Sequence, residues 1–309
     1  MNSTHLVTGG AGFIGSNLVD KIIEIGHKVV IIDDLSTGKR EFVNEKATFY
    51  QRKVENANIE EVFETEHPDY VFHLAAQVDV RKSVADPLFD AITNIFGTLN
   101  LLRLSTKYKV KKFIFASSGG VMYGDTDKPV DETTKPNPIS PYGIAKLTAE
   151  RYIDFYAKEY GLKYSILRYA NVYGPRQDPF GEAGVVAIFA SQMLRNKPCT
   201  LYGFGHMVRD YVYVDDIVSA TIKSTNENTC NTFNIGTGIP TSVNELFSLM
   251  SKITNYALPP IYKSKRKGEI DKSALNCNKA KEILGWIPKT TLQEGITKTI
   301  QWFKQNYRV

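Results

Sequence analysis

The sequence predicts an α/β protein: a doubly wound parallel sheet with helices on both faces, followed by a smaller α/β lobe. Three observations carry this expectation. Short β-branched runs alternate with helical patterns through the first half of the chain. A glycine-rich stretch joins the first such run directly to the first helical pattern. After Tyr169 the alternation breaks down.

The strand-like runs are residues 4–8, Val29–Asp33, Tyr70–Leu74, Lys112–Ala116 and Tyr164–Leu167, and the helical patterns between them include 13–25, 88–107 and 141–159. Right-handed crossovers then leave the doubly wound sheet as the topology. The stretch 171–184 is rich in Gly and Pro and reads as an irregular loop. Helical patterns at 185–195, 242–253 and 292–306 follow, with strand candidates near 200–203, 207–214 and 232–235. The expected division is 1–170 for the sheet domain and 171–309 for the lobe, with some lobe segments returning to the first domain.

At 309 residues the chain is long enough for such a core and lobe. It is 42% hydrophobic and 23% charged, a globular composition that argues against disorder. Thirty-eight Lys and Arg against 33 Asp and Glu leave +5, which suits an anionic small molecule but is no nucleic-acid footprint. The basic run Lys263, Lys265, Arg266, Lys267 reads as a solvated face. Cys199, Cys230 and Cys277 are odd in number and far apart, so free thiols in a reducing compartment are expected. No signal peptide is visible, and no apolar run approaches the roughly 18 residues of a membrane span. A cytoplasmic protein with no membrane partner is the expectation. His5, His27, His67, His73 and His206 are scattered, and read as satisfied core or surface residues with no metal site.

Gly9, Gly12 and Gly15 lie between the first strand and the first helix. Glycines there permit a tight turn, close approach of backbone amides to a pyrophosphate, and close helix–sheet packing. The second strand ends at Asp33, roughly 20 residues further on, where a ribose-binding carboxylate belongs. Together these make a Rossmann-type dinucleotide site. Asp33 and Asp34 would accept bonds from a ribose hydroxyl and repel a 2′-phosphate, which favours NAD over NADP, although Lys39 and Arg40 lie close by.

Ser140 and Pro141 read as the N-cap and first residue of a helix that carries Tyr142 and Lys146. Four residues apart, the phenol and the ammonium share one face. A cation beside a phenol stabilises the phenolate, which makes Tyr142 a candidate base and Lys146 its activator.

In order along the chain stand GGAGFIG, DDLSTG, HLAAQ, NIFGTLNLL, SSGGVMYG, SPYGIAK, RYANVYGPRQ, RDYVYVDD, NIGTG and RKGE. In this order and spacing the chain resembles the extended short-chain dehydrogenase/reductase family, and within it the UDP-glucose 4-epimerases, over nearly its whole length. The resemblance implies an NAD-dependent epimerisation of a UDP-hexose through a 4-keto intermediate. Tyr142 would be the base, Lys146 would hold the nicotinamide ribose, and Ser118 would be a third catalytic residue.

It further implies cofactor contacts at Gly9, Gly12, Phe13, Ile14, Asp33, Asp34, Leu35, Ser36, Val54, Leu74, Ala75, Ala76, Asn94, Ser117 and Tyr169, besides Tyr142 and Lys146. Substrate contacts fall at Asn171, Val185, Thr200, Tyr202, Arg209, Arg266, Glu269 and Ser273. Arginines suit the pyrophosphate, since a guanidinium matches phosphate geometry. A homodimer built on 88–107 and 141–159 is implied as well.

Three departures from the family pattern matter. Gly119 stands where a Ser or Thr usually donates to the sugar 4-oxygen, with Ser118 one residue earlier. Lys53 stands where a carboxylate near adenine is usual. Ser273 replaces a bulky Tyr found in enzymes confined to non-acetylated sugars, which points to use of the N-acetylhexosamine pair too. A UDP-glucuronate 4-epimerase or decarboxylase stays open. A 4,6-dehydratase lacks its expected acid–base pair in SSGGVMY, and retention of Tyr142 and Lys146 disfavours a non-catalytic nucleotide-binding module.

Overall fold

The computed structural model describes residues 3–180, 184–226, 230–266 and 270–307. Its strands in chain order are β1 (Thr4–Thr8), β2 (Lys28–Asp33), β3 (Thr48–Gln51), β4 (Tyr70–His73), β5 (Lys112–Ser118) and β6 (Tyr164–Tyr169). There follow β7 (Asn171–Tyr173), β8 (Thr200–Tyr202), β9 (Val208–Tyr213), β10 (Asn231–Ile235), β11 (Pro240–Ser242) and β12 (Ile261–Lys263). The chain divides into two compact units. One comprises Met1–Ser118, Ser140–Arg168 and Val218–Phe233; the other comprises Gly119–Ile139, Tyr169–Ile217 and Asn234–Val309.

A seven-stranded sheet runs in the order β10-β6-β5-β4-β1-β2-β3. The pairings β1–β2, β2–β3, β1–β4 and β4–β5 are parallel. Every residue of β6, and all of β2 except its first, is buried, as expected of parallel strands covered on both faces. From β1 the chain winds outward to β2 and β3, then returns to the other side of β1 with β4. A doubly wound sheet binds its ligand at such a reversal. Thr8 pairs with Ile32 and with His73, so β1, β2 and β4 end level with one another. Gly9 and Leu74, which follow β1 and β4, and Asp33, the last residue of β2, therefore lie at one edge.

Three features differ from the sequence expectation. β3 was not foreseen: it is a short edge strand whose residues are exposed or half-buried, so it shows no apolar alternation. The segment 171–184 is not wholly irregular, since β7 pairs with β9. The expected helix over 88–107 is composite, comprising Pro87–Ala91, a π-helical turn at Ile92–Phe96, and Gly97–Lys107. Such turns insert one residue into a helix and often lie at functional sites.

The second unit holds the three-stranded sheet β11-β9-β7 and the pair β12–β8. The helix Val185–Leu194 packs against Val243–Thr254 and Leu292–Asn306. Both of the latter begin with a capping box, Ser242 with Glu245 and Thr291 with Glu294, which satisfies the first amides of each helix. Among the described residues no helix is long and apolar enough to cross a membrane.

Candidate active site

In the first unit the turn after β1 is built on backbone contact. Gly9 has φ +70°, and a Cβ there would lie 2.7 Å from the Ala75 amide nitrogen and 3.0 Å from the Leu74 carbonyl carbon. A Cβ on Gly15 would lie 2.0 Å from the Gly9 carbonyl oxygen. Leu74 and Ala75 thus form the wall against which the turn closes, with Ala76 next along it. Gly12 is the N-cap of the helix Phe13–Glu24 and offers no side chain to its amides. The first-turn amides, including those of Phe13 and Ile14, remain for a ligand, at the positive end of the helix.

Asp33, 7% exposed, closes the other side. Its carboxylate accepts from the Ala11 amide (2.9 Å) and the Leu35 amide (2.8 Å). Burial pushes its pKa up, and these two amides pull it back. Asp34 accepts from the amide and hydroxyl of Ser36. Arg40 stacks on Phe49 at 4.3 Å, and Lys39 lies 3.9 Å from Glu41, so both nearby cations have partners in the fold. Val54 is buried and Lys53 is exposed. Close-packed glycines, a helix start without a side-chain cap and a carboxylate at the end of β2 fit a dinucleotide.

Ser140 caps the helix Pro141–Tyr160, its hydroxyl accepting from the Gly143 amide at 3.2 Å. Lys146 is 4% exposed, donates from Nζ to the Ala116 carbonyl (2.8 Å), and lies 5.8 Å from the centre of the Tyr142 ring. Burial brings the Lys146 pKa down to about 8, against the opposing fields of Asp90 and Glu150. Burial, and after it the Asp90 carboxylate, hold Tyr142 above the usual tyrosine range. Lys146 spends one donor on a backbone carbonyl. Ser118 ends β5, two residues beyond that carbonyl.

Two expected cofactor contacts turn into the protein. The Ser117 hydroxyl donates to Glu150 (2.6 Å), which is paired with Arg168 at 2.6 and 3.0 Å in a buried ion pair. The Asn94 carboxamide is fully engaged: Oδ1 accepts from the Gln77 amide, and Nδ2 donates to the Gln77 carbonyl and to Asp90. Sequence reasoning missed Glu150 and Asp90. Glu150 lies four residues beyond Lys146 and extends the Tyr142–Lys146 face, a signal that was there to find. His73 bonds Thr8 and Thr98, a satisfied core histidine as expected. His5 is not fully satisfied, since its buried Nδ1 has no partner while Nε2 meets Ser3.

In the second unit Tyr169 ends β6 and is buried, Asn171 begins β7, and Val185 begins its helix. Thr200 and Tyr202 lie on β8, paired with β12. The Arg266 guanidinium lies 3.6 Å from the centre of the Tyr202 ring, so the basic run is not simply a solvated face. Arg209 donates to the carbonyls of Val208, Ile270 and Asp271. Ser273 is buried and bonds back to Val208 through its amide. Glu269 lies outside the described residues. A Cβ on Gly119 would lie 2.5 Å from Leu275 Cδ1, so a hydroxyl residue at that position would require the Leu275 side chain to shift.

The pattern of the NAD dependent epimerase/dehydratase family matches residues 5–236. A putative UDP-glucose 4-epimerase of Methanocaldococcus jannaschii is 45% identical over 304 residues, covering 98% of this chain and 99% of its own. A crystal structure of a Thermotoga maritima UDP-glucose 4-epimerase with UDP-glucose is 54% identical, with a TM-score of 0.96 over 98% of this chain and 99% of that one. The Thermus thermophilus UDP-glucose 4-epimerase in complex with NAD is 40% identical, with a TM-score of 0.94 and the same coverage.

Proposed function

Because the chain belongs to the NAD-dependent epimerase/dehydratase family, we propose that it inverts C4 of a UDP-hexose, with Tyr142 as the base. The observation that carries this reading is the pair itself, Tyr142 and a buried Lys146 on one helix face, with Lys146 pinned to the Ala116 carbonyl. NAD, held by the glycine turn and Asp33, supplies when bound the acceptor and then the donor of a hydride. Tyr142 takes the proton of the sugar 4-hydroxyl and later returns it, the sugar passing through a 4-keto form. Lys146 orients the nicotinamide ribose. Since burial raises the Tyr142 pKa, ionisation at neutral pH depends on the positive charges that surround the phenol in the loaded enzyme. Ser118 is our assignment for the hydroxyl at the sugar 4-oxygen, because Leu275 fills the place beside Gly119.

On the substrate side, Asn171, Arg209 and Arg266 hold the pyrophosphate in this reading, and Val185, Thr200, Tyr202 and Glu269 line the uridine. Ser273 leaves space for a 2-acetamido group, so UDP-N-acetylglucosamine is converted alongside UDP-glucose and UDP-galactose. We further propose a homodimer. Leu88, Phe89, Ile92, Phe96, Ile144 and Phe155 are exposed on the two expected helical stretches, and a second copy of the chain would cover them.

The test is incubation of the purified protein, without added NAD, with UDP-galactose, UDP-N-acetylglucosamine and UDP-glucuronate separately, followed by product identification. Tyr142→Phe should retain NAD and lose turnover by about 100-fold or more. Full activity in that variant would end the assignment of the base. Ser273→Tyr should lose the N-acetylated substrate and keep UDP-galactose; equal loss of both would end the pocket reading.

A further inference from the structure

Asp90 is a carboxylate that the mechanism above does not use. It is 1% exposed, on the last turn before the π-helical segment Ile92–Phe96, and the helix that carries it packs against the helix of Tyr142 and Lys146. Its Oδ1 accepts from Gln77 Nε2 and Asn94 Nδ2, each at 3.0 Å. Both donors are neutral amides, so they fix the carboxylate without cancelling its charge. A buried charge in that condition is costly unless it faces an opposite one. Burial pushes the Asp90 pKa up, and Lys146, on the helix packed against that of Asp90, is the cation whose field draws it down.

We propose that Asp90 is a positioning residue whose clasped carboxylate supplies the negative field that keeps the Lys146 ammonium protonated beside Tyr142. The proposal rests on the reading of Tyr142 as the base. Of the other ionisable groups acting on Lys146, Glu150 works in the same direction after Asp90, and the rest do not. Glu150, on the same helix, is committed to Arg168 of β6 and to the Ser117 hydroxyl. His73, on β4, is neutral, its pKa brought down to about 3 by burial and then by Lys146 itself. Tyr142 carries no charge until it ionises. From β5 Lys146 receives a carbonyl dipole at Ala116 and the face of Phe115 at 4.6 Å.

Asp90 acts in one direction on both members of the pair: it holds Lys146 protonated to higher pH and opposes ionisation of Tyr142. Asp90→Asn keeps the acceptor for Gln77 and Asn94 and removes the charge. In the NAD-loaded enzyme turning over UDP-galactose, both limbs of the kcat/KM–pH profile should then move to lower pH together, by about one unit. Asp90→Glu should move them back toward wild type. A tyrosinate absorbance titration, read as the difference between Asp90→Asn and the same protein with Tyr142→Phe, should show the Tyr142 shift without turnover. Limbs and absorbance midpoint that stay in place, with or without a loss of rate, would overturn the proposal and leave Asp90 as a structural clasp. Tyr142→Phe in the wild-type background separates the two ideas, since retained activity there would remove the base itself.

Discussion

The two compact units hold their candidate site residues by different means. In the first, the glycine turn touches the wall of Leu74 and Ala75 with main-chain atoms, and Lys146 is bonded to a carbonyl in a buried setting. In the second, Arg266 is exposed and rests on one face of Tyr202, and Arg209 donates to the carbonyl oxygens of Ile270 and Asp271, distant in sequence. Main-chain contact leaves no room for adjustment, whereas a flat cation on a ring can be exchanged for another flat group. The first unit therefore couples its site to its stability, and the second keeps the two apart.

The sharpest way to break this contrast is Gly15→Ala. Its methyl group would meet the Gly9 carbonyl, with no flexible atom to give way, so a loss of about 4 kcal/mol or more is expected, with loss of retained NAD. Chemical denaturation and released cofactor would measure both; a stable, NAD-loaded variant would show the turn to be more tolerant than argued. Glu150→Gln, which leaves Arg168 buried without its carboxylate, should cost about 4 kcal/mol in the same assay. A change under about 1 kcal/mol would mean that water reaches the pair.

Acid provides a third test of the first unit. His5 is held neutral by burial, and secondarily by His27, with its pKa down to about 4. The unfolded chain takes up that proton from pH 6.5 downward and the folded chain does not. The stabilisation is therefore complete above about pH 6.5 and is lost as pH falls through about 4, on the order of 3 kcal/mol. His5→Phe, placed among Tyr70 and Phe72, should flatten the dependence of denaturation midpoints on pH over that range. An unchanged slope would assign acid lability to other groups.

The smallest effect belongs to the second unit. Arg266→Ala should leave the melting temperature unchanged and weaken UDP-sugar binding by about tenfold or more, by titration calorimetry. A drop in melting temperature with unaltered binding would reverse the contrast between the units.

Local signals made much of the first unit legible. The buried apolar residues of β1 (Leu6, Val7), β2 (Val29–Ile32) and β4 (Val71, Phe72) follow from burial on both faces, and the glycine spacing from the close approach it permits. The Ser140 cap and the Tyr142–Lys146 face are properties of a single helix. What could not be read depended on distant partners. β3 hides because an exposed edge strand lacks alternation. The π-helical turn is one residue out of helical phase, held by Asn94 against Gln77 and Asp90, and no window of apolar spacing reports that clasp. The rise in the Tyr142 pKa could not be read for the same reason, since it comes from burial and from Asp90 on another helix. Arg266 and Tyr202 are far apart in sequence, and their stacking is a tertiary fact.

Leu275 also constrains how this site could change under selection. With its methyl group 2.5 Å from where a side chain at position 119 would begin, the two positions do not vary independently. A serine brought in at 119 would have to displace the buried leucine side chain, whereas trimming the leucine first would make room for the same serine. A mutagenesis campaign that samples one position at a time would underrate hydroxyl residues at 119, because their fit depends on what stands at 275. Paired libraries at 119 and 275, with small residues at 275 set against hydroxyl residues at 119, would expose that dependence.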